Sequence, residues 1–130
     1  MKKMSKTRFY DTSSLLLRAE NLFDTNESFV ISSITLDELE SIKTSQKKDA
    51  DTKYAARRLL HLLDEYIGEY EIHVFNEKML KPIEEKSLTI NNDIRILATA
   101  LDYNATQNEI LFITNDLSLY YMARLFISED

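Results

Sequence analysis

The sequence predicts an α/β protein, a three-layer sandwich in which helices cover both faces of a central, mainly parallel sheet of four to five strands. Short β-type runs alternate with runs of helical period along the chain, and this order implies right-handed crossovers and parallel pairing. The run 28–32 is almost continuously of β type, as expected of a strand covered on both faces. No internal repeat or low-complexity linker divides residues 1–130, so we expect one domain.

The first half of the chain reads as two strands and three helices. The predicted elements are a strand at 7–11, a helix at 12–22, a strand at 28–32, and helices at about 35–44 and 53–67. Ile34 or Thr35 is expected near the cap of the second helix. The polar segment 45–52 is either an exposed loop or an extension of the third helix, and Gly68 is expected to end that helix as a C′ residue.

The second half continues the alternation. The predicted elements are a strand at 71–75, a short helix and a loop within 76–89, a helix at about 93–104, a buried strand at 109–114, and a helix at 117–125. The first of these strands alternates polar and apolar residues and is expected near a sheet edge. Asn91 or Asn92 is the expected cap of the longer helix, and residues 126–127 are expected to begin another strand.

Composition excludes several kinds of chemistry. Because Gly68 is the only glycine, the chain cannot form a dinucleotide-binding loop, a P-loop or a G-x-S-x-G nucleophile elbow. The absence of cysteine removes disulfides, thiolate nucleophiles and Cys-zinc sites. Carboxylate is what remains in quantity, since 22 acidic residues against 16 basic ones give a formal net charge of −6.

The same reading predicts a cytoplasmic protein with no membrane partner. No run approaches the roughly 18 apolar residues that a membrane-spanning helix needs. The basic start, Met1 to Lys6, is not followed by an apolar segment, so a secretory signal is not expected.

Four acids stand at or near the junctions of the predicted elements. Asp11 and Asp116 follow strands, Asp93 opens a helix, and Glu38 lies one turn into the helix after the second strand. Because parallel strands end at one edge of the sheet, where open α/β sheets hold their ligands, these acids could meet in one cleft. Mg²⁺ and Mn²⁺ prefer oxygen ligands, and such ions can activate water for attack on a phosphodiester.

Each acid also has a plainer interpretation. Asp11 and Asp116 could be helix N-caps, which accept backbone N–H bonds and contribute about 1 kcal/mol. Asp93 could complement a helix dipole, and Glu38, beside Asp37 and Glu40, could be solvated surface. Taken singly, each acid favours this interpretation; in combination, the four favour a metal site.

Four short strings resemble, in order, the four motifs of the PIN-domain nucleases. They are Phe9-Tyr10-Asp11-Thr12-Ser13, Glu38-Leu39 after Ile34-Thr35-Leu36, Asn92-Asp93-Ile94-Arg95-Ile96-Leu97-Ala98, and Ile113-Thr114-Asn115-Asp116. The resemblance implies a PIN-like fold and a metal-dependent ribonuclease in which Asp11, Glu38, Asp93 and Asp116 hold one or two Mg²⁺ or Mn²⁺ ions. It also implies supporting roles for Thr12, Thr114 and Asn115, and single-stranded RNA as the substrate.

Within that family, residues 31–43 and the following helix look most like the PIN domain at the N-terminus of PhoH-like proteins, which carry an ATPase domain after it. This resemblance implies an ATPase partner, fused or separate, with residues 1–130 as the N-terminal part of a longer protein. A non-catalytic binding module and a toxin-type PIN ribonuclease, which works as a homo-oligomer, are the alternatives.

Two further features could touch RNA. The densest basic stretch could track phosphates beside the cleft, or it could be an ordinary mixed-charge surface; it comprises Lys43, Lys47, Lys48, Lys53, Arg57 and Arg58. Tyr120 and Tyr121 could stack on a base, although packing of the last helix is the more common use of such rings.

Overall fold

The computed structural model describes residues 5–127 of the chain. Its elements are β1 (Thr7–Tyr10), α1 (Thr12–Leu17), β2 (Phe29–Ser32), α2 (Ser33–Lys43), α3 (Ala50–Glu65), β3 (Glu71–His73), a 3₁₀ turn (Glu77–Leu80), α4 (Lys81–Glu84), α5 (Asn92–Thr106), β4 (Ile110–Ile113) and α6 (Leu117–Ala123). The four strands form one parallel sheet in the order β3-β2-β1-β4. The predicted α/β fold with a parallel sheet is confirmed.

Helices cover both faces of this sheet because neighbouring residues of each strand point to opposite sides. On one face, Tyr10 and Ile31 pack in a cluster with buried residues of α1, α2 and α3. On the other face, Phe9 and Val30 pack against Ile96, Ala100, Tyr103 and Ile110, most of which belong to α5. A third cluster joins α5 to the 3₁₀ turn, α4 and α6, so α5 is the centre of the second helical layer.

Helices α2 and α3 form an antiparallel pair that places its turn beyond the carboxyl edge of the sheet. Helix α2 begins directly at the end of β2, and α3 returns the chain to the start of β3. Two helices joined by a short loop and packed along their length run antiparallel. The turn 44–49 therefore lies on the same side of the sheet as the residues that follow each strand.

Several predicted boundaries were wrong. Helix α1 ends at Leu17 rather than residue 22, and a series of tight turns continues from it. Ser32 caps α2, two or three residues earlier than expected. Asp49 caps α3, so the polar segment supplies both a loop and the start of the helix. Gly68 lies two residues beyond the C-cap Tyr66 and has φ +100°, a backbone angle that favours glycine.

The last part of the chain differs from prediction in two ways. Strand β4 lies at an edge of the sheet and leaves Leu111 48% exposed, so it is less buried than expected. Residues 126–127 form no strand; the N–H groups of Phe126 and Ile127 bond to the carbonyl of Ala123 and continue the end of α6.

Candidate active site

Asp11 directly follows β1 and is 2% exposed. It caps α1, since its Oδ1 accepts the Ser14 N–H at 2.9 Å. Its carboxylate also accepts the hydroxyl of Ser13 at 2.9–3.0 Å, and Oδ2 accepts the hydroxyl of Thr114 at 2.5 Å. Asp11 is therefore a helix cap, as one interpretation predicted, but capping is not its only contact. A buried carboxylate needs more hydrogen-bond donors than one backbone N–H supplies.

Thr114 connects Asp11 to the loop that carries Asp116. Its hydroxyl donates to Asp11 and accepts the Asp116 N–H at 3.0 Å. The neighbouring Asn115 N–H donates to the Ser13 hydroxyl at 3.0 Å. The loop after β4 is thus joined to the start of α1 by side chains about a hundred positions away in sequence. Ser13 was not among the predicted site residues, and only its place in the first motif pointed to it.

Glu38 is held by Thr12, the first residue of α1. The Thr12 hydroxyl lies 2.6 Å from Glu38 Oε1 and 3.1 Å from the Thr35 hydroxyl. Both threonines are buried, and Glu38 is half-buried one helical turn after Thr35. Thr12 therefore contacts the second acid, and Thr35, which is not among the predicted site residues, adds a further contact.

Asp93 and Asp116 bring the other two elements to the same place. Burial raises the pKa of the Asp93 carboxyl above its ordinary value of 3.8, and the negative charges of Asp116, Glu38 and Asp11 raise it further. A side-chain hydrogen bond with Asp116 adds to the shift, because the protonated carboxyl can donate it. Asp116 also caps α6 through the N–H groups of Ser118 and Leu119.

The four acids therefore share one electrostatic environment at the carboxyl edge of the sheet, and we call Asp11, Glu38, Asp93 and Asp116 the acidic cluster. Within residues 5–127, no three acidic or histidine side chains stand ready to hold a metal ion. The hydroxyls of Ser13 and Thr114 donate to the Asp11 carboxylate, and the Thr12 hydroxyl donates to Glu38. The donor set still fits a hard divalent ion, because it consists of carboxylate oxygens that repel one another.

The predicted basic residues lie on the α2–α3 pair and its turn. Lys47 and Lys48 are exposed in the turn, and Lys53, Arg57 and Arg58 lie on α3. Lys43 pairs with Glu40 at 3.0 Å, and Asp49 bonds to the Thr52 N–H at 2.7 Å. This surface therefore carries both signs of charge.

The two tyrosines of α6 are not buried by packing. Tyr120 is 37% exposed and Tyr121 is 57% exposed, with their ring centroids 5.3 Å apart. The expectation that core packing is their main use is therefore wrong for Tyr121 and only partly right for Tyr120. Both rings lie on the helix that Asp116 caps.

The fold and the acidic cluster define a class of protein in which a parallel α/β sheet presents carboxylates at its carboxyl edge, suited to divalent ions and phosphate. A family model described as PIN domain matches residues 9–126, and the chain therefore belongs to the PIN domain family. PIN domains are in general nucleases that use divalent metal ions and bind nucleic acid.

Comparison with curated proteins found no match, and neither did comparison with solved structures. Within residues 5–127, no helix has the length and apolar character that crossing a membrane requires.

Proposed function

We propose that this PIN domain is an endoribonuclease that hydrolyses phosphodiester bonds of single-stranded RNA with one or two Mg²⁺ or Mn²⁺ ions. The observation that carries the proposal is the convergence of four acids at one edge of the sheet. The Thr114 hydroxyl joins Asp11 to the loop of Asp116, and the Thr12 hydroxyl at the start of α1 donates to Glu38. Asp93 lies near enough to the other three acids for their charges to raise its pKa. Four acids from separate parts of the chain repel one another at one edge of the sheet. Such repulsion costs stability unless a cation compensates for it.

Each residue has a proposed role. Asp11, Glu38, Asp93 and Asp116 would hold the ions, which when bound supply activation of water and stabilisation of the leaving oxygen. Thr114 and Ser13 orient Asp11, and Thr12 orients Glu38. The basic residues of the α2–α3 pair would bind phosphates of the RNA strand, which fixes its position without reading sequence.

Cleavage of a labelled single-stranded RNA by the purified protein is the direct test. We expect cleavage with Mn²⁺ or Mg²⁺ and none with EDTA. RNA binding should likewise require the cation, because the acidic cluster alone repels phosphate. Cleavage that persists in EDTA, or failure to cleave any RNA with saturating Mn²⁺, would contradict the proposal.

Thr114→Val is expected to reduce cleavage about 10- to 100-fold, the usual cost of losing a group that orients a metal ligand. The substitution removes the hydroxyl that donates to Asp11 and accepts from the Asp116 N–H. The measurement is the Mn²⁺ dependence of the cleavage rate, in which the variant should need more metal. Thr114→Ser keeps the hydroxyl and should recover most of the activity; equal losses in the two variants would argue against an orienting role.

The pH dependence of stability should report the charge of Asp93. Because its pKa is raised in the folded protein, its contribution to stability is present below 3.8 and is lost as pH rises through the raised value. Metal-free protein should therefore lose this contribution over that window, and Asp93→Asn should remove it. The measurement is the urea midpoint in EDTA from about pH 4 to pH 7.

Bound metal should restore the stability that the metal-free protein loses as pH rises to neutral. Binding at 100 times Kd would add about 2.7 kcal/mol to the free energy of unfolding. The added stability should be smaller in Asp93→Asn, while the metal-free variant should be the more stable protein at pH 7. If wild type and Asp93→Asn showed the same dependence of stability on pH and the same stabilisation by Mn²⁺, Asp93 would not belong to the proposed metal site.

The proposal extends to a partner. The resemblance of residues 31–43 to PhoH-like proteins supports coupling of cleavage to an ATPase domain, fused or separate, that would deliver RNA to the site. Stimulation of RNA cleavage by ATP in the presence of such a partner is the expected result. The alternative of a non-catalytic RNA-binding module is favoured by one observation: hydroxyls of the protein already donate to oxygens of Asp11 and Glu38. A folded protein that binds RNA, does not cleave it and shows no metal binding by calorimetry would select that alternative.

A further inference from the structure

An open groove of about 300 Å³ lies directly beside the acidic cluster. It is lined by Thr114, Asn115, Asp116, Leu117 and Tyr120. We propose that this groove is a nucleobase subsite in which one base of the RNA strand stacks on the ring of Tyr120. The inference rests on the proposed function, since it names how the substrate of the same site is held, but it can be tested by binding alone.

The ring of Tyr120 is held in a defined position at the wall of the groove. The Arg124 guanidinium carbon lies 5.8 Å from its centroid, and Tyr121 meets it edge to face, with 64° between the ring planes. The ring is 37% exposed, so it is partly supported and partly accessible. A pre-oriented aromatic ring offers stacking area at low entropic cost, which is the property that single-strand binding sites use.

The groove and the acidic cluster share residues, so one nucleotide can reach both. Asp116 lines the groove and belongs to the cluster, and its carbonyl accepts the Tyr120 N–H at 2.9 Å. Tyr120 therefore lies four residues, about 6 Å, along α6 from this acid. A nucleotide with its phosphate at the cluster can place its own base, or the adjacent one, on the ring.

An apolar side chain completes the subsite. Leu117, the first residue of α6, lines the groove and is 65% exposed. An apolar residue next to a stackable ring suits the flat face of a base and reads no sequence. The groove therefore predicts binding of unpaired bases of any identity, because bases inside a duplex already stack on one another.

A double-mutant cycle between protein and RNA tests this inference. The probes are short fluorescein-labelled single-stranded RNAs in which one abasic residue is moved along the sequence, with binding measured by anisotropy and cleavage by initial rates, both in Mn²⁺. For Tyr120→Leu we expect Kd and KM to rise about 5- to 100-fold, with Tyr120→Phe near wild type. One abasic position should weaken binding to wild type by a similar factor and should have little further effect on Tyr120→Leu.

Tyr54→Leu is the matched control, since Tyr54 is likewise an exposed tyrosine, lies on another helix, α3, and does not line the groove. It should bind like wild type. One outcome is that RNA is cleaved while the loss of affinity from Tyr120→Leu and the loss from the abasic residue are independent, so that the two factors multiply. In that case the subsite is overturned and the ribonuclease proposal stands. If the coupling appears in binding while no RNA is cleaved, the subsite stands and the ribonuclease proposal fails. The abasic series on wild type keeps the test valid should Tyr120→Leu not fold, because equal binding at every abasic position would overturn the subsite.

Discussion

Asp11→Asn is expected to lower metal-dependent RNA cleavage by about 100-fold or more. Removing a group that only orients a metal ligand usually costs about 10- to 100-fold, and Asp11 is proposed to be a ligand itself. Asparagine is as good an N-cap as aspartate, so its Oδ1 can still accept the Ser14 N–H and keep the start of α1 in place. The Thr114 hydroxyl can turn to accept from the new amide. The substitution therefore removes the negative charge and leaves the cap.

The measurements are the cleavage rate, the Mn²⁺ affinity by calorimetry and the thermal midpoint. Asp49→Asn is the matched control, because Asp49 caps α3 through the same kind of bond, to the Thr52 N–H, and is exposed outside the acidic cluster. It should cleave RNA and bind Mn²⁺ like wild type. Full activity in a folded Asp11→Asn protein would show that Asp11 is a cap alone.

Phe9→Ala is expected to lower the free energy of unfolding by about 3–5 kcal/mol, the usual cost of truncating a buried aromatic residue. Phe9 is fully buried in β1, which pairs with both β2 and β4. Its ring lies 6.4 Å from the ring of Tyr103 and 6.1 Å from that of Phe112. The ring thus joins the central strand to α5 two residues before Asp11, so the substitution should also loosen the position of this acid.

Urea unfolding followed by circular dichroism measures the loss. Leu111→Ala is the comparison, since Leu111 is on the neighbouring strand and 48% exposed. Its cost should be about 1 kcal/mol or less, as most exposed positions show. Similar losses of unfolding free energy in the two variants would contradict the expectation that the burial of a side chain on this sheet determines its contribution to stability.

Much of the fold was predictable because it follows from local patterns. The alternation of β-type and helical runs identified all four strands and the parallel sheet, and alternating residues marked β3 as an edge strand. Asn91 was one of the two expected caps of α5. Each of these features depends on side chains within a few positions of one another.

The errors have the opposite origin. Helix α1 stops at Leu17, yet Ala19 and Leu22 remain buried in the following turns, so the apolar stripe predicted burial correctly and helix length wrongly. Strand β4 has a sequence typical of a central strand but lies at an edge of the sheet, next to β1. The order of strands in a sheet is decided by tertiary packing, and the sequence of one strand does not show it. The segment 45–52 was predicted as either a loop or a helix extension, and Asp49, which caps α3, divides it into both.

The sequence by itself determined the fold class and the order of four acids at element junctions, since both depend on residue type and spacing. Only the tertiary structure decided that Asp93 lies within the field of Asp116, Glu38 and Asp11, and that Thr114 and Thr12 hold two of the acids. These contacts join residues up to 103 positions apart. Their geometry follows from how α2, α5 and the loop after β4 pack around the ends of the strands, and no local pattern carries that information.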